Sequence, residues 1–273
     1  MGPPFATSLS AHVARLAPCS GTDNPHTPFA LLHVPHKQIA FHLVDLATYR
    51  QLSAEQDCEY FFKNLTEKYE QQGMQLVHVW EDVWLRQPAQ VEARIAALLG
   101  HFTRYHARLT TVQKITNPVL LDFLRHHHLQ TPIGGRYKYG LFHKGEMVAV
   151  ASFSAARPIV RGGMAYRSYE LLRFANKAGC VVAGGLSKLL AHFIGEHHPD
   201  DIMTYADRDW GSGRGYKMLG FEQVGELPPQ AFLLDTATHL RHYPHQRSKA
   251  EGDVKIFNAG SWKFVRDVRK EGN

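Results

Sequence analysis

Apolar and polar positions along this chain fall into alternating runs that read as strands and into three- and four-residue recurrences that read as helices. Phe29–Val34 and Gln38–Val44 are two short apolar strands joined at Pro35–Lys37, a predicted hairpin. Residues 57–72 follow as a charged amphipathic helix with Tyr60, Phe61, Leu65 and Tyr69 along one face, ended by Gly73. MQLVHVW is a buried strand followed by a turn, and Ala89–Leu99 is a helix stopped at Gly100. Asn117–Pro118 opens another helix, which turns Val119, Leu120, Phe123 and Leu124 inward. RYKYGLF and MVAVASFS form a second hairpin, turning at Lys144–Gly145.

The densest stretch runs from Tyr166 to Gly225. YELLRF is a strand ending in Arg173, and Lys177–Gly179 is a turn. After CVVA, Gly184 and Gly185 open a helix from Leu186 to about His197, with Leu189, Leu190 and Phe193 on its apolar stripe and Pro199 beyond its end. DIMTYAD is a second buried strand that delivers Asp207 at its carboxyl end, and RDWGSGRG leads into a short helix carrying Tyr216. Such a strand–helix–strand unit has a right-handed crossover, with polar residues gathered beyond the strands' carboxyl ends. Arg173, Ser187, Asp207 and Tyr216 are therefore expected to face one crevice. The bare amides at Gly184, Gly185 and Leu186 are a ready site for a phosphate or a developing oxyanion. A buried salt bridge between Arg173 and Asp207 is the competing explanation for those two residues.

Length and charge extend the reading. At 273 residues two domains are the natural division. The expected layout is a poorly ordered segment over 1–28, rich in Pro, Ser, Thr and Gly, then a first domain over 29–100. A linker and helix over 101–133, a second domain over 134–240 and a basic tail over 241–273 complete it. The fold class is α/β, with α+β character. The formal net charge of +6, with 18 histidines uncounted, favours an anionic partner, nucleic acid and DNA before RNA. Arg104, Arg108, Arg157, Arg161, Arg208, Arg214, Arg241, Arg247 and Lys249 are the candidate contacts, several interleaved with aromatic rings; a solvated face is the alternative reading of each cluster. Cys19, Cys58 and Cys180 lie far apart, which supports neither a disulfide framework nor a zinc ribbon, and no metal site is expected. No run approaches the roughly 18 to 20 apolar residues of a membrane span, so a cytoplasmic chain without membrane partners is the expectation.

Two resemblances sharpen this. The order of strand, glycine-opened helix, strand and Tyr-x-x-x-Gly-Phe from Tyr216 resembles the second half of a GNAT-type acyltransferase fold. Glu-Leu-x-Arg at Glu170–Arg173, Ser187, Tyr205–Asp207 and Tyr216 resemble the phage Mom-type DNA-modification family. The wider stretch from about Gln38 to Asp235 is similar to the C-terminal module of phage homing endonuclease-like proteins. The likeness implies an acyl-CoA or similar acyl donor bound at Gly184, Gly185 and Leu186 beside Ser187. It also implies an acceptor oriented by Asp207, a proton donated by Tyr216 and an anionic group held by Arg173. Adjacent glycines stand where most GNAT enzymes carry a Gly-x-Gly or Gly-x-Ala pair. The N-terminal hairpin, helix, strand and helix look like the restriction-endonuclease-like fold of the very-short-patch-repair group. Leu31 and His42 stand where that family holds metal-binding Asp and Glu, and the strand alternation turns Asp45 away, so the domain reads as a degenerate nuclease that binds DNA. A non-catalytic DNA-binding protein derived from a mobile element is the alternative function, and an active homing endonuclease-like nuclease a weaker one.

Overall fold

The structure, a computed structural model, describes residues 4–22, 24–246 and 248–269. Arg247 lies outside the described residues, and of Arg161 only the backbone is described. The chain forms two compact units, and each is assembled from three separate lengths of sequence. The first comprises Met1–Glu92, Ala206–Arg214 and Gly225–Trp262; the second comprises Ala93–Tyr205, Gly215–Val224 and Lys263–Asn273. This interleaving replaces the contiguous domains expected at 29–100 and 134–240, because strand pairing gathers lengths of chain that are remote in sequence.

The first unit opens with helix α1, Phe5–Leu16, where a poorly ordered lead-in was expected. Phe5, Leu9 and Val13 recur at four-residue spacing and are buried together, which holds the helix in place despite the prolines before it. Strands β1 (Ser20–Thr22), β2 (Ala30–Val34), β3 (Ile39–Val44) and β4 (Gln75–Trp80) form one sheet in that order. The predicted hairpin is β2 and β3, antiparallel with Leu31 opposite His42; Gln38 leaves its short 3₁₀ turn at φ 54°. Between β3 and the parallel β4 the chain crosses over through α2 (Leu46–Glu55) and α3 (Phe61–Gln71). Asp45 caps α2, its carboxylate accepting from the Thr48 amide at 2.8 Å. A six-residue helix, α4 (Glu81–Arg86), takes the place of the turn expected after β4, and α5 (Pro88–Leu99) matches its prediction within a residue.

The second unit carries the larger sheet. Its elements begin with β5 (Thr103–His106), β6 (Thr111–Lys114), α6 (Asn117–His127), β7 (Tyr137–His143) and β8 (Glu146–Phe153). They continue with β9 (Arg157–Arg161), β10 (Met164–Asn176), β11 (Cys180–Ala183), α7 (Gly185–His197), β12 (Asp201–Asp207), α8 (Arg214–Lys217) and β13 (Glu222–Leu227). β14 (Ala231–Asp235), β15 (Leu240–His242) and β16 (Val254–Phe257) return to the first unit as a three-stranded sheet, and β17 (Ser261–Asp267) ends the series. The large sheet runs β13-β17-β12-β10-β8-β7-β6, with β9 paired to β10. β6, β7, β8 and β10 are antiparallel, whereas β10 and β12 are parallel and joined through α7. The meander and the helical crossover are both as expected. β11 departs from the expectation, pairing in parallel with β5 as a separate ribbon that leads into the glycines.

Both cores are aromatic. In the second unit Phe193 of α7 stacks on Phe153 with ring centroids 3.9 Å apart, and Tyr139 and Tyr169 meet it edge-on. In the first, Phe29, Tyr49, Phe62 and Trp80 pack with Leu234, Ile256 and Phe257, so the basic tail's strands contribute to the core.

Candidate functional site

The parallel pair at the centre of the large sheet is short. β10 and β12 are in register only from Ser168 opposite Asp201 to Glu170 opposite Met203. A bulge between Leu171 and Arg173 then shifts β10 in its pairing with β8, and β10 follows β8 onward to Asn176. The last link toward β12 is the Thr204 hydroxyl, which donates to the Leu171 carbonyl at 3.0 Å. Beyond that point β10 and β12 are no longer in register.

Arg173 leaves the bulge half-buried, its guanidinium donating to the carbonyls of Leu172 at 2.7 Å and Thr131 at 3.3 Å. The loop holding Thr131 also carries His128, whose Nδ1 accepts from the Gln130 amide at 3.2 Å. On the other side, half-buried Tyr216 rests its ring against Phe221 and Phe264, both at 5.6 Å. Burial raises the Tyr216 phenol above its ordinary value, opposed by the adjacent Thr204 hydroxyl and the positive charges of Arg94 and Arg173. His128 is lowered to about 4 by burial first and then by Arg173, with Arg94 adding to the effect. Of the four predicted catalytic residues, Arg173 and Tyr216 are linked through the charge of Arg173 acting on the phenol. Thr204, Arg94 and His128 were missed. Thr204 could have been found from the inward alternation of DIMTYAD; Arg94 and His128 carry no local signal, being more than 80 residues from Tyr216 in sequence.

Ser187 stands exposed in the first turn of α7. Asp207 belongs to the first unit, where its carboxylate accepts from the Asp209 amide at 2.9 Å and its charge acts on Asp209 and Arg241. The glycine start of α7 is as read. Gly184 is its N-cap at φ 76°, in the left-handed region that favours glycine, and no side chain caps the helix. Gly185 is buried, and a Cβ there would come within 3.0 Å of Val182. The first-turn amides consequently remain as anion donors. Lys188 in the same turn donates to the carbonyls of Ala107 at 2.8 Å and Thr110, and Arg104 and Arg108 are exposed on the adjoining β5 segment.

The remaining nucleic-acid candidates divide. Lys249 and Arg214 are exposed, and Arg157 pairs with Glu170 at 3.5 Å. Arg208 and Arg241 overturn the expectation. Arg208 is 1% exposed, paired with Glu67, Glu70 and Glu226 at 3.2 to 3.5 Å and laid over Trp262 at 4.0 Å. Arg241 makes a bidentate pair with buried Asp82 at 2.6 and 2.7 Å, so it neutralises a buried carboxylate.

At the hairpin of the first unit Leu31 is core, and His42 sits in a closed chain. Thr27 Oγ1 bonds His42 Nε2 at 2.7 Å, His42 Nδ1 bonds His78 Nδ1 at 2.8 Å, and His78 Nε2 bonds Thr66 Oγ1 at 2.8 Å. His78 is thus a fully buried, hydrogen-bonded core histidine. Among the described residues no group of three or more His, Cys, Asp or Glu is arranged to hold a metal ion, and no helix is long and apolar enough to cross a membrane.

No family model matches this chain, and no curated protein matches it. Solved acetyltransferases are similar to it in part. The histone acetyltransferase HPA2 and related acetyltransferase of Corynebacterium glutamicum is 17% identical over 57% of this chain and 95% of its own, with a TM-score of 0.36. A Bacillus subtilis acetyltransferase in complex with CoA is 16% identical over 58% of this chain and 99% of its own, TM-score 0.37. A GNAT family acetyltransferase of Elizabethkingia anophelis with acetyl-CoA bound is 11% identical over 59% and 99%, TM-score 0.32. Likeness at these scores gives no residue of this chain a role.

Proposed function

We propose that the second unit is an acyltransferase, in which a thioester donor lies along the divergence of β10 and β12 and Tyr216 serves the leaving group. The observation that carries this reading is the parallel pair ending at Glu170 and Met203 beside a protonated phenol. Past the bulge, a strand edge of β10 that no longer pairs with β12 offers main-chain donors and acceptors to an amide-bearing chain. The uncapped amides of Gly185, Leu186 and Ser187 would hold the donor's phosphates, as the glycine at Gly184 and the cradle at Gly185 allow. When bound, such a donor supplies an activated acyl carbon and a thiolate leaving group. Tyr216 keeps its proton at neutral pH, because burial raises the phenol, and so holds a hydrogen at Oη for the departing sulfur.

The acceptor we favour is an amine of a nucleic acid, DNA before RNA. Exposed Arg104, Arg108, Lys249 and Arg214 support that reading, with the first unit, read as a degenerate nuclease, as a DNA-binding body. A non-catalytic DNA-binding role is the second reading, favoured by Ser187 standing exposed without a hydrogen-bonded partner role in the cluster.

The test is mass spectrometry of nucleosides from cells expressing the protein or its Tyr216→Phe variant, alongside thiol release from acetyl-CoA in vitro. A base mass shift and thiol release that both fall by about 10² to 10⁴ in the variant are expected for loss of a general acid. Equal thiol release by the two proteins would remove Tyr216 from the reaction. Absence of thiol release with DNA binding retained would transfer the weight to the binding role.

A further inference from the structure

A cavity of about 410 Å³ lies within the first unit, between α2 with the turn after it and residues 249–257. That volume falls in the range of roughly 300 to 1,000 Å³ usual for small-molecule sites. β3 and β4 run parallel and end at Val44 and Trp80, and α2 follows β3 directly, packing Tyr49 on Trp80 at 5.2 Å. The cavity therefore borders the carboxyl ends of a parallel pair, the place where open α/β sheets hold ligands. Its two walls are pinned together, because the buried Tyr49 hydroxyl donates to the Lys255 carbonyl at 3.1 Å. The space is formed before anything enters it.

Arg50, Lys249 and Lys255 line this cavity and are exposed. Among the described residues none of the three is paired with a carboxylate. Lys255 rests its ammonium 4.8 Å from the Phe257 ring, a contact that leaves N–H donors to spare. Two carboxylates also line the cavity and are turned to backbone amides, Asp57 Oδ1 to Glu59 at 2.9 Å and Asp253 Oδ2 to Ala250 at 2.8 Å. Tyr49, Cys58 and Phe257, 0, 3 and 7% exposed, put apolar surface between the charges. Three cations around a preformed, partly apolar space favour an anion carried on a compact organic body.

We propose that this cavity binds a phosphomonoester of mononucleotide size, its phosphate met by Arg50, Lys249 and Lys255. The exposed Asp57 carboxylate offers its second oxygen to a sugar hydroxyl. A monoester phosphate carries about −1.5 to −2 charge at neutral pH against about −1 for a diester, so three cations select the former. A free mononucleotide and the 5′-phosphorylated end of a nucleic-acid strand share that chemistry. The site belongs wholly to the first unit and does not rest on the acyltransferase reading of the second.

Calorimetry on the full-length protein compares adenosine 5′-monophosphate, adenosine and inorganic phosphate. Saturable binding of the monophosphate is expected, about tenfold or more tighter than either fragment and weakened by salt. Arg50→Gln/Lys255→Gln, whose two replaced side chains are exposed and so leave the fold intact, is expected to lose about tenfold or more of that affinity. No binding, adenosine bound as tightly as its monophosphate, or an unchanged double variant overturns the proposal. Inorganic phosphate bound as tightly as the monophosphate reduces the cavity to an adventitious anion surface and overturns it equally. A single-stranded oligonucleotide that gains about tenfold from a 5′-phosphate, and competes with the monophosphate, upholds the site with a strand end as its ligand. No such gain, with the monophosphate still bound, upholds it with the free nucleotide.

The place of binding is read separately at Cys58. Alkylation of the three cysteines is followed by peptide mass, with and without adenosine 5′-monophosphate. At about ten times the dissociation constant the Cys58 rate should fall about tenfold, while partly exposed Cys19 and Cys180 keep theirs. A Cys58 rate that the bound nucleotide does not change places the ligand elsewhere and overturns the assignment to this cavity.

Discussion

Arg208 and Arg173 both stand where a strand breaks its regular run, one just past β12 and one at the bulge of β10, yet their surroundings have little in common. Arg208 is enclosed by three carboxylates and an indole and has almost no accessible surface. Arg173 is half-exposed, its guanidinium donates to the carbonyls of Leu172 and Thr131, and its charge reaches the rings of Tyr216 and His128. The same contrast holds for the histidines. His42 and His78 satisfy each other and two threonine hydroxyls with no accessible surface, while His128 keeps some of its own. These first-unit groups are closed off in pairs, whereas Arg173 and His128 keep part of their surface. A buried, paired charge resists removal but cannot meet a ligand, so Arg208 and Arg173 are open to different tests.

The largest effect that sharpens this contrast is at the Arg241–Asp82 pair. Asp82→Ala leaves a mostly buried guanidinium without its carboxylate and is expected to destabilise the protein by about 3–5 kcal/mol in urea unfolding. Arg173→Gln, which removes bonds to backbone carbonyls only partly shielded from water, is expected to cost about 0.5–1.5 kcal/mol. Equal losses would erase the distinction between the units.

Proton linkage gives the next effect and has a definite sign. Burial depresses His42 well below its ordinary value and His78 to about 3, so between pH 6.5 and 3 the unfolded chain binds protons the folded one refuses. Stability from these two is complete above pH 6.5 and falls on acidification by up to about 1.4 kcal/mol per pH unit for each histidine. Asp209 runs the other way. Burial, with Asp207 beside it, raises its carboxyl to about 8, so the folded chain binds the extra proton and its contribution declines from pH 3.8 up through 8. Urea unfolding across pH should therefore peak near 6.5, and Asp209→Asn should flatten the alkaline limb. A limb unchanged in that variant would show that Asp209 is ionised in the folded protein at neutral pH.

A smaller change tests the opening of α7. Gly184→Ala forces a side chain into φ 76° and is expected to cost about 1 kcal/mol, with weaker binding of acetyl-CoA in calorimetry if the first-turn amides shift. Unchanged donor affinity with the stability loss present would separate this helix start from the donor's phosphates.

Much of this arrangement was readable before the fold. The hairpin at Pro35–Lys37 and the glycine start of α7 follow from local pattern, since each depends on residues within a few positions of one another, and the helical crossover to DIMTYAD follows from the strand–helix–strand order. The helix at Phe5–Leu16 was hidden behind composition, although its four-residue recurrence was present. The fates of Arg208 and Arg241 had no local signal. Their partners are supplied from 18 to 159 residues away, by β-strand pairing that interleaves the units. A basic count cannot tell a cation that meets solvent from one that neutralises a buried acid, and that is where the expected nucleic-acid surface contracted.

What remains of that surface yields the smallest effect on stability and the clearest on binding. Arg104 and Arg108 are exposed, Arg104 lying 5.7 Å from the Phe102 ring, and their replacement by alanine is expected to shift unfolding by no more than about 0.5 kcal/mol each. If they contact phosphates, the slope of log affinity against log salt for duplex DNA should fall by about one per arginine removed, uniformly across sequences. If instead they steady the donor's phosphates at the start of α7, DNA affinity will hold and the acetyl-CoA dissociation constant will rise. Because neither arginine is needed to fold either unit, the two outcomes can be read without a stability correction, which no variant of Arg208 or Arg241 would permit.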